Sequence, residues 1–304
     1  MRAVVIAEQG AKPAATEVPT PRPGAGEVLV KVHASSVNGF DGAVAAGYLA
    51  GMMEHRYPVV LGKDFAGTVE AVVEGVSGFA VGDRVFGVVT KPYLGDGSFG
   101  EYVTVPAEIG IAKLPEGVDL TTAGAVGLAG TAAVDALAAV QPRAGEAVLI
   151  SGATGGVGAI AIQYAAAAGA TVIATAKPGE EADFVRGLGA HQVVDYRGDL
   201  PAQVLAASPT GVDVIVHLAG DGAALVDLLT EKGRIASTLG PLDHPAATAV
   251  MATPTAGTLD RLAGDLAAGR LTVPVERTYS LDEVPVAFGD FAAGTRGKIS
   301  IVVA

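Results

Sequence analysis

Short runs of β-branched residues alternate with helix-forming stretches along the second half of the chain. The apolar runs are Ala147–Ser151, Thr171–Thr175, Gln192–Asp195, Val212–His217 and Arg234–Thr238. The stretches that predict crossover helices are Gly179–Leu188, Leu200–Ala207, Asp221–Thr230 and Thr258–Ala268. Because this alternation is typical of repeated strand–helix–strand units, it predicts a doubly wound α/β domain built on a parallel sheet.

The first part of the chain has a different pattern. Valine-rich runs are separated by Gly, Pro and Asp clusters, which predicts a mostly β domain; they are Glu27–Ala34, Thr68–Val73, Gly82–Val89 and Glu101–Val105. Similar runs return at Val273–Tyr279 and Lys298–Val303. We therefore predict a β domain over residues 1–122, an α/β domain over 123–271, and a return to the first domain over 272–304.

A glycine-rich turn joins the first apolar run of the α/β domain to an alanine-rich helical stretch, in the order VLISGATGGVGAIAIQYAAAA. Glycines let the backbone turn tightly and approach a phosphate, and the start of the helix attracts negative charge. This order is typical of a dinucleotide site, although Ala153 takes the first glycine position of G-x-G-x-x-G. The predicted cofactor-binding residues are Ser151, Gly152, Thr154, Gly155, Gly156, Val157 and Gly158.

The end of the second apolar run indicates which dinucleotide binds. An NAD site usually has an acidic residue about 20 residues beyond the glycine turn, but here the segment reads Ala174-Thr175-Ala176-Lys177-Pro178. Thr175 could hydrogen-bond a phosphate oxygen, and Lys177 could pair with a 2′-phosphate. The sequence therefore favours NADPH, with a solvated loop lysine as the alternative for Lys177.

Composition and charge exclude several classes of protein. The 304 residues carry a net charge of −12 and no basic stripe, so we expect no nucleic-acid partner. Cysteine is absent, which excludes disulfides and thiolate metal sites. The first ten residues contain one short apolar run before Glu8, so we expect neither a signal peptide nor a membrane span, and a cytoplasmic protein.

Three segments of the chain form a recognisable set: GKDFAGTVEAVVEGVSGFAVGDRVFG at Gly62–Gly87, SGATGGVGAIAIQYA, and the closing GKISIVV. Together they resemble the zinc-independent quinone oxidoreductase and zeta-crystallin group of the medium-chain dehydrogenase/reductase superfamily. The resemblance runs along essentially the whole chain in the same order. It implies a GroES-like domain with an inserted Rossmann domain, NADPH as cofactor, a quinone or α,β-unsaturated carbonyl as substrate, and a homodimer.

The resemblance also implies residues near the substrate. Asn38 and Asp41 match the family stretch N-x-x-D-x-Y, whose tyrosine is Ala43 here. We expect Asn38 to orient the substrate carbonyl or the nicotinamide, or else to be a turn residue, and Asp41 to be a hydrogen-bond acceptor. Thr131 matches a family threonine beside the nicotinamide, and Ala133 stands where the family has an aromatic residue. One further segment contains Tyr48, Met52 and His55. It either borders the pocket for the hydride acceptor or packs against the rest of the domain.

Further cofactor contacts follow by position. Tyr196 matches a family tyrosine that packs on the adenosine 2′-phosphate, with an exposed loop tyrosine as the alternative. The remaining expected contacts lie after the fourth and fifth apolar runs and near the carboxyl terminus, namely Leu218, Ala219, Ser237, Gly297 and Lys298.

The chain departs from the zinc-dependent branch of the superfamily. The Gly-His-Glu motif that supplies a catalytic zinc ligand there reads Gly62-Lys63-Asp64 here. Because Lys63 brings a positive charge and no cysteine exists, we predict no catalytic metal. The reaction then requires an acceptor that takes hydride readily. Catalysis rests on proximity between the nicotinamide and an electron-poor carbon of the acceptor, and on a hydrogen bond to the carbonyl oxygen.

The sequence therefore predicts a zinc-independent, NADPH-dependent oxidoreductase that transfers a hydride to a quinone or an enone. One alternative is an enoyl-thioester reductase of a biosynthetic pathway, which the acidic charge balance disfavours. Another is an NADPH-binding redox sensor or structural protein without useful turnover, which Ala43 and Ala133 keep open.

Overall fold

The computed structural model describes residues 1–303, and the chain forms two compact units. The first unit is Met1–Leu128 with Pro254–Ala304, and the second is Ala129–Thr253. The second boundary lies well before residue 271, where the sequence placed it. The reason is the helix at Ala256–Ala267, which packs on the strand Ile111–Lys113 of the first unit, next to a hydrogen bond of 3.0 Å from Gly110 N to Pro254 O.

The strands and helices follow one another in chain order as follows. The strands are β1 (Arg2–Ile6), β2 (Ala14–Glu17), β3 (Glu27–Ser36), β4 (Glu54–His55), β5 (Val59–Val60), β6 (Asp64–Val72), β7 (Arg84–Val88), β8 (Tyr93–Leu94), β9 (Tyr102–Pro106), β10 (Ile111–Lys113), β11 (Ala147–Ser151), β12 (Thr171–Thr175), β13 (Gln192–Val194), β14 (Val212–His217), β15 (Leu229–Ser237), β16 (Ala247–Ala249), β17 (Val275–Ser280) and β18 (Lys298–Val302). The helices are α1 (Gly39–Ala45), α2 (Leu120–Ala123), α3 (Gly127–Val140), α4 (Gly156–Ala167), α5 (Glu180–Gly187), α6 (Leu200–Ala207), α7 (Gly222–Val226), α8 (Ala256–Ala267) and α9 (Val284–Ala293), with a 3-10 turn at Leu281–Glu283.

The first unit is built on a seven-stranded sheet in the order β10-β7-β6-β3-β18-β17, with β9 also paired to β3. Alternate residues of β3 face one way, so Val28, Val30 and Val32 are all buried in one core cluster. Smaller sheets, β2-β1-β5 and the pair β4-β8, complete the unit.

The carboxyl-terminal strand β18 lies in the middle of this sheet. It pairs antiparallel with β3, with Ser300 opposite Ser36, and Val37 N donates to Ile299 O at 3.0 Å. The register brings Lys298 next to the residues that follow β3. The return of the chain to the first unit therefore brings the Lys298 ammonium group next to Asn38.

The second unit contains a six-stranded parallel sheet in the order β13-β12-β11-β14-β15-β16. The chain runs outward from β11 to β13, then crosses back to β14 and continues outward to β16. The α/β class with a parallel sheet is confirmed. In such sheets ligands bind outside the carboxyl ends of the strands where the order reverses, which here is between β11 and β14.

One crossover differs from the prediction. The helix expected over Asp221–Thr230 is the shorter α7, and β15 begins earlier than the expected strand at Arg234. Leu229 pairs with Val212 and Arg234 pairs with Val214, and a register shift between the two pairs accommodates the extra residues at the start of β15.

Within residues 1–303, no helix has the length and apolar character that a membrane crossing requires.

Candidate active site

The glycine turn follows β11 and leads directly into α4. Gly152 has a φ of +67°, and its amide donates to the Thr175 hydroxyl at 3.0 Å, while Gly155 N donates to Gly152 O at 3.2 Å. A Cβ at Gly158 would lie 2.6 Å from the Ala153 Cα, so only glycine lets the helix pack this closely on the turn. The glycine spacing therefore has a steric cause in this structure.

The start of α4 offers a site for an anion. Gly155 is the N-cap, and the first turn consists of Gly156, Val157 and Gly158 with no acidic side chain. The amides of a first helical turn lack partners within the helix, and the helix dipole adds partial positive charge there. These residues can therefore hold a phosphate through backbone N–H groups.

A cavity of about 450 Å³ lies next to this turn, at the carboxyl ends of the parallel strands. This volume falls in the usual range for small-molecule sites. One part of the lining is small or polar, and it contains six of the predicted cofactor residues: Ser151, Gly152, Thr154, Thr175, Tyr196 and Ala219. The other lining residues were not predicted, and they are mostly apolar: Leu200, Pro201, Gly220, Asp221, Ala224, Leu225 and Leu228. The combination suits a flat apolar ring joined to polar groups.

Two hydroxyl groups of this lining hold the strand ends together. Ser151 Oγ accepts hydrogen bonds from Leu218 N at 3.1 Å and Ala219 N at 3.4 Å. Thr175 is buried, accepts from Gly152 N and donates to Ile150 O at 3.3 Å. Thr175 was expected to bond a phosphate oxygen, but its hydroxyl hydrogen is already used, so it shapes the glycine turn instead.

Ser237, at the end of β15, is part of a buried link between adjacent strands. Its hydroxyl lies 3.0 Å from His217 Nδ1, and the other ring nitrogen of His217 lies 3.1 Å from Gly220 O. Ser237 Oγ also accepts from Leu239 N at 3.2 Å. His217 thereby fixes the loops after β14 and β15.

Lys177, at the other end of the site, is paired with a carboxylate. Its Nζ lies 2.7 Å from Glu181 Oε1, and its backbone amide donates to Glu181 Oε2 at 2.9 Å. The hydrogen bond that Lys177 donates to Glu181, together with the charge of that carboxylate, raises the pKa of Lys177 above its usual value, with a smaller contribution from the nearby Tyr196. Lys177 and Tyr196 are therefore brought together as predicted, with an acidic residue between them that was not predicted.

The first unit contains a buried polar cluster centred on Asp64. Its Oδ2 accepts from Ser36 Oγ at 2.5 Å and from Asn38 Nδ2 at 2.9 Å, and its Oδ1 accepts from Leu128 N at 2.6 Å. A fully buried carboxylate is stable only with such partners. Asp64 is thus the acceptor that organises the residues after β3.

Lys298 joins the same cluster. Its buried Nζ donates to Asn38 Oδ1 at 2.5 Å and to Val37 O at 3.1 Å, and lies 3.5 Å from Asp64 Oδ2. Burial lowers the pKa of Lys298, and Asp64 and Asp41 partly oppose this effect. Gly297 precedes it with a φ of +84°. Within the first unit Lys298 contacts Asn38, and the expected contact of Gly297 and Lys298 with the cofactor stays a prediction.

Asn38 has no free amide group in this arrangement. Its Nδ2 donates to Asp64 and, at 3.2 Å, to Ser36 O, while Oδ1 accepts from Lys298. The predicted role of its amide in orienting a substrate carbonyl would require breaking one of these bonds. In this structure Asn38 is the N-cap of α1 and links Lys298 to Asp64.

Asp41 and Lys63 are the other charged groups of this region. Asp41 is buried and accepts from Asn38 N at 2.9 Å. Burial, with a further contribution from the nearby Asp64, raises the pKa of Asp41 to about 7. Lys63 Nζ donates to Val89 O at 2.7 Å, lies 4.6 Å from the Phe40 ring centroid, and has a pKa lowered by burial.

The remaining predicted residues occupy other surroundings. Thr131 is buried in α3. The side chains of Tyr48 and Met52 are exposed, by 76% and 77%, while half-buried His55 bonds Met53 O at 2.9 Å and stacks on Tyr57. None of the three lines the small pocket that Phe40, Asp41 and Lys63 share.

The residues of this region do not fit a metal ion. The oxygens of Asp64 are taken by Ser36, Asn38 and Leu128, and two lysine ammonium groups lie close to the two carboxylates. No group of three His, Asp or Glu side chains elsewhere in residues 1–303 has a suitable arrangement. Carboxylates that already bond to protein donors and lie beside ammonium groups are a poor donor set for a metal ion.

Two charged residues of these clusters were missed by the sequence interpretation, and each left a signal. Asp64 belongs to the Gly62-Lys63-Asp64 triplet, but the comparison with the zinc-dependent branch considered only Lys63. Glu181 is four residues after Lys177, a spacing that favours an ion pair near a helix start.

Two family models match the chain. The Alcohol dehydrogenase GroES-like domain matches residues 24–116, and the Zinc-binding dehydrogenase model matches residues 156–252. The first match confirms the predicted GroES-like character of the first unit. The second match begins at Gly156, the first residue of α4, and includes the five later strands of the parallel sheet.

Relatives of known sequence include two kinds of protein. The Quinone oxidoreductase of Sus scrofa is 37% identical over 235 residues, covering 75% of this chain and 69% of that protein. The Mycocerosic acid synthase-like polyketide synthase of Mycolicibacterium smegmatis is 37% identical over 257 residues, covering 83% of this chain but 12% of that protein.

Solved structures share the fold over the whole length. The quinone oxidoreductase from Coxiella burnetii is 29% identical, with a TM-score of 0.88 and coverage of 100% of this chain and 99% of the other. A mycobacterial protein solved in complex with NADPH is 28% identical, with a TM-score of 0.87 and coverage of 99% of both.

Proposed function

This chain belongs to the quinone oxidoreductase, or zeta-crystallin, group of the medium-chain dehydrogenase/reductase superfamily and is an oxidoreductase; from that premise we propose that it transfers a hydride from NADPH to a quinone or an α,β-unsaturated carbonyl. The observation that carries the proposal is the second unit's cavity. Three features meet at the carboxyl ends of β11, β12 and β14: the glycine turn, the first turn of α4, which has no acidic side chain, and a group of apolar lining residues.

The residues of the cavity fit a dinucleotide. The turn Gly152–Gly158 and the first amides of α4 would hold the pyrophosphate. The apolar wall formed by Leu200, Pro201 and Leu225 would cover the adenine, and Lys177 and Tyr196 would receive the 2′-phosphate. NADPH supplies a hydride from its nicotinamide when bound. The mycobacterial structural relative solved with NADPH supports this choice.

The acceptor class follows from the donor set of the first unit. Lys63 and Asp64 do not provide a Lewis acid, so the substrate must accept hydride without strong carbonyl activation. Quinones and enones meet this requirement because conjugation leaves an electron-poor carbon and delocalises the negative charge that hydride transfer creates. A proton from solvent then completes the two-electron reduction. Holding the two reactants close together supplies the main rate acceleration.

The test is NADPH oxidation followed at 340 nm in parallel assays. A benzoquinone, a simple enone and an enoyl thioester serve as acceptors, and NADH replaces NADPH in a second series. We expect turnover of the quinone or enone, a preference for NADPH, and no loss after treatment with a chelator. Tight NADPH binding without oxidation of any acceptor would refute the proposed reaction and favour a sensor or structural role.

An enoyl-thioester reductase is the second candidate. The similarity to the polyketide synthase of Mycolicibacterium smegmatis over 83% of this chain favours it. The net charge of −12 opposes it, since a phosphate-bearing carrier or coenzyme A is itself anionic. Turnover of the thioester at a kcat/KM at least tenfold above that of the enone would replace the first proposal by this one.

We further propose that the protein acts in the cytoplasm as a homodimer. The short strand β16 forms one edge of the parallel sheet, and its residues are half-buried or exposed, so its backbone can pair with a second copy. Light scattering at several concentrations tests this, and a monomeric mass at all of them would contradict it.

A further inference from the structure

A carboxylate lies between the two groups that the proposed function assigns to the 2′-phosphate. Glu181 uses both of its oxygens on Lys177, one on the ammonium at 2.7 Å and one on the backbone amide at 2.9 Å. The nearby Tyr196 also helps to lower the pKa of this carboxylate. A phosphate bound here would seek the same donors.

The carboxylate is held in its charged form. Burial alone would raise the pKa of Glu181, but the hydrogen bonds from the Lys177 side chain and backbone amide, with a smaller contribution from Tyr196, lower it below its usual value. Its side chain is 17% exposed, whereas that of Lys177 is 41% exposed. Glu181 is therefore a well-placed anion at neutral pH, and it repels a second anion at this point.

The other nearby cation is also engaged. Arg197 follows Tyr196, and its Nε and Nη2 donate to Asp195 at 3.1 Å and 3.0 Å. The backbone amide of Arg197 donates to the same carboxylate. Both cations near the proposed 2′-phosphate position, Lys177 and Arg197, are therefore already paired with a carboxylate.

We propose that Glu181 sets the cofactor preference by competing with the 2′-phosphate for Lys177. Given the proposed function, NADPH binds only after Lys177 is released from Glu181. The affinity of the protein for NADPH then exceeds that for NADH by less than it would without Glu181. The residue determines specificity through Lys177 and has no part in hydride transfer.

The experiment compares two nucleotides that differ only in the group of interest, 2′,5′-ADP and 5′-AMP. Isothermal titration calorimetry gives their dissociation constants for the wild type, E181Q, D183N and K177M. D183N is the matched control because Asp183 lies in the same first turn of α5 and its ion pair is with Arg186, not with Lys177.

We expect E181Q to raise the preference for 2′,5′-ADP over 5′-AMP about tenfold, since one competing charge is removed from the phosphate donors. The affinity for 5′-AMP should stay unchanged, and D183N should alter the preference by less than about twofold. K177M should abolish the preference, because no ammonium then remains for the 2′-phosphate.

The outcomes separate the two proposals. An unchanged or lower preference in E181Q, or an unchanged preference in K177M, overturns the role of Glu181 while leaving the nucleotide site intact. Absence of binding of either nucleotide to the wild type refutes the proposed cofactor site itself.

Discussion

Asp41 shows how one buried side chain couples the candidate site to pH. It lies beside Asp64, Lys298 and Lys63, and burial together with Asp64 raises its pKa to about 7. An unfolded aspartate titrates near pH 3.8. Between these two values the folded protein binds more protons than the unfolded chain, so the free energy of unfolding falls as the pH rises from about 4 to about 7.

The substitution D41N removes this titration and keeps an acceptor for Asn38 N. We expect D41N to be more stable than the wild type at pH 8 by up to about 4 kcal/mol, with the difference fading towards pH 4. Urea unfolding at pH 4.5, 6 and 8 measures it, and D260N on the exposed face of α8 serves as the control. A stability difference that does not vary with pH would contradict the prediction.

At the scale of elements, the turn between β11 and α4 separates the requirements of folding from those of binding. Gly158 faces the backbone of Ala153, whereas a Cβ at Gly155 would meet nothing closer than Gly152 O at 3.5 Å. Gly155 nevertheless caps α4 at the proposed phosphate position. The two glycines therefore serve different purposes within one motif.

We expect G158A to lower the free energy of unfolding by on the order of 1–3 kcal/mol, because the Cβ forces the turn away from the helix. G155A should leave stability within about 1 kcal/mol of the wild type and weaken NADPH binding instead. Urea unfolding and fluorescence titration separate the two effects. G187A is the control, because it adds a methyl group into open space in α5. It should lower neither the affinity for NADPH nor the free energy of unfolding. Equal stability of G158A and G155A would show that the tight packing at Gly158 is unimportant.

For the whole molecule, a ligand that binds only the folded state must stabilise it. At a concentration one hundred times its dissociation constant, NADPH should add about 2.7 kcal/mol to the free energy of unfolding. Thermal unfolding followed by fluorescence should then show a Tm several degrees higher with NADPH. Addition of a chelator should leave both Tm values unchanged, since the donor set around Lys63 and Asp64 does not suit a metal. A Tm that falls on chelation would reveal a structural ion.

Much of the second unit was predictable because its signals are local. The strands β11, β12 and β14 have the predicted limits, and α6 does as well. Each depends on a short run of apolar residues bounded by glycine or polar residues. The early start of β15 was missed because it depends on one pair, Leu229 with Val212 of β14, which a register shift separates from the next pair, Arg234 with Val214.

The amino-acid sequence by itself determined the α/β class, the glycine turn and the unsuitability of Lys63 for a metal site, because each depends on residue type and short spacing. The tertiary structure alone decided that Lys298 contacts Asn38 Oδ1 across 260 residues of chain, while Asp64 and Ser36 engage the Asn38 Nδ2 group. It also decided that both oxygens of Glu181 contact Lys177. Contacts of this kind depend on strand order and register, which place distant side chains within hydrogen-bonding distance and which no local pattern encodes.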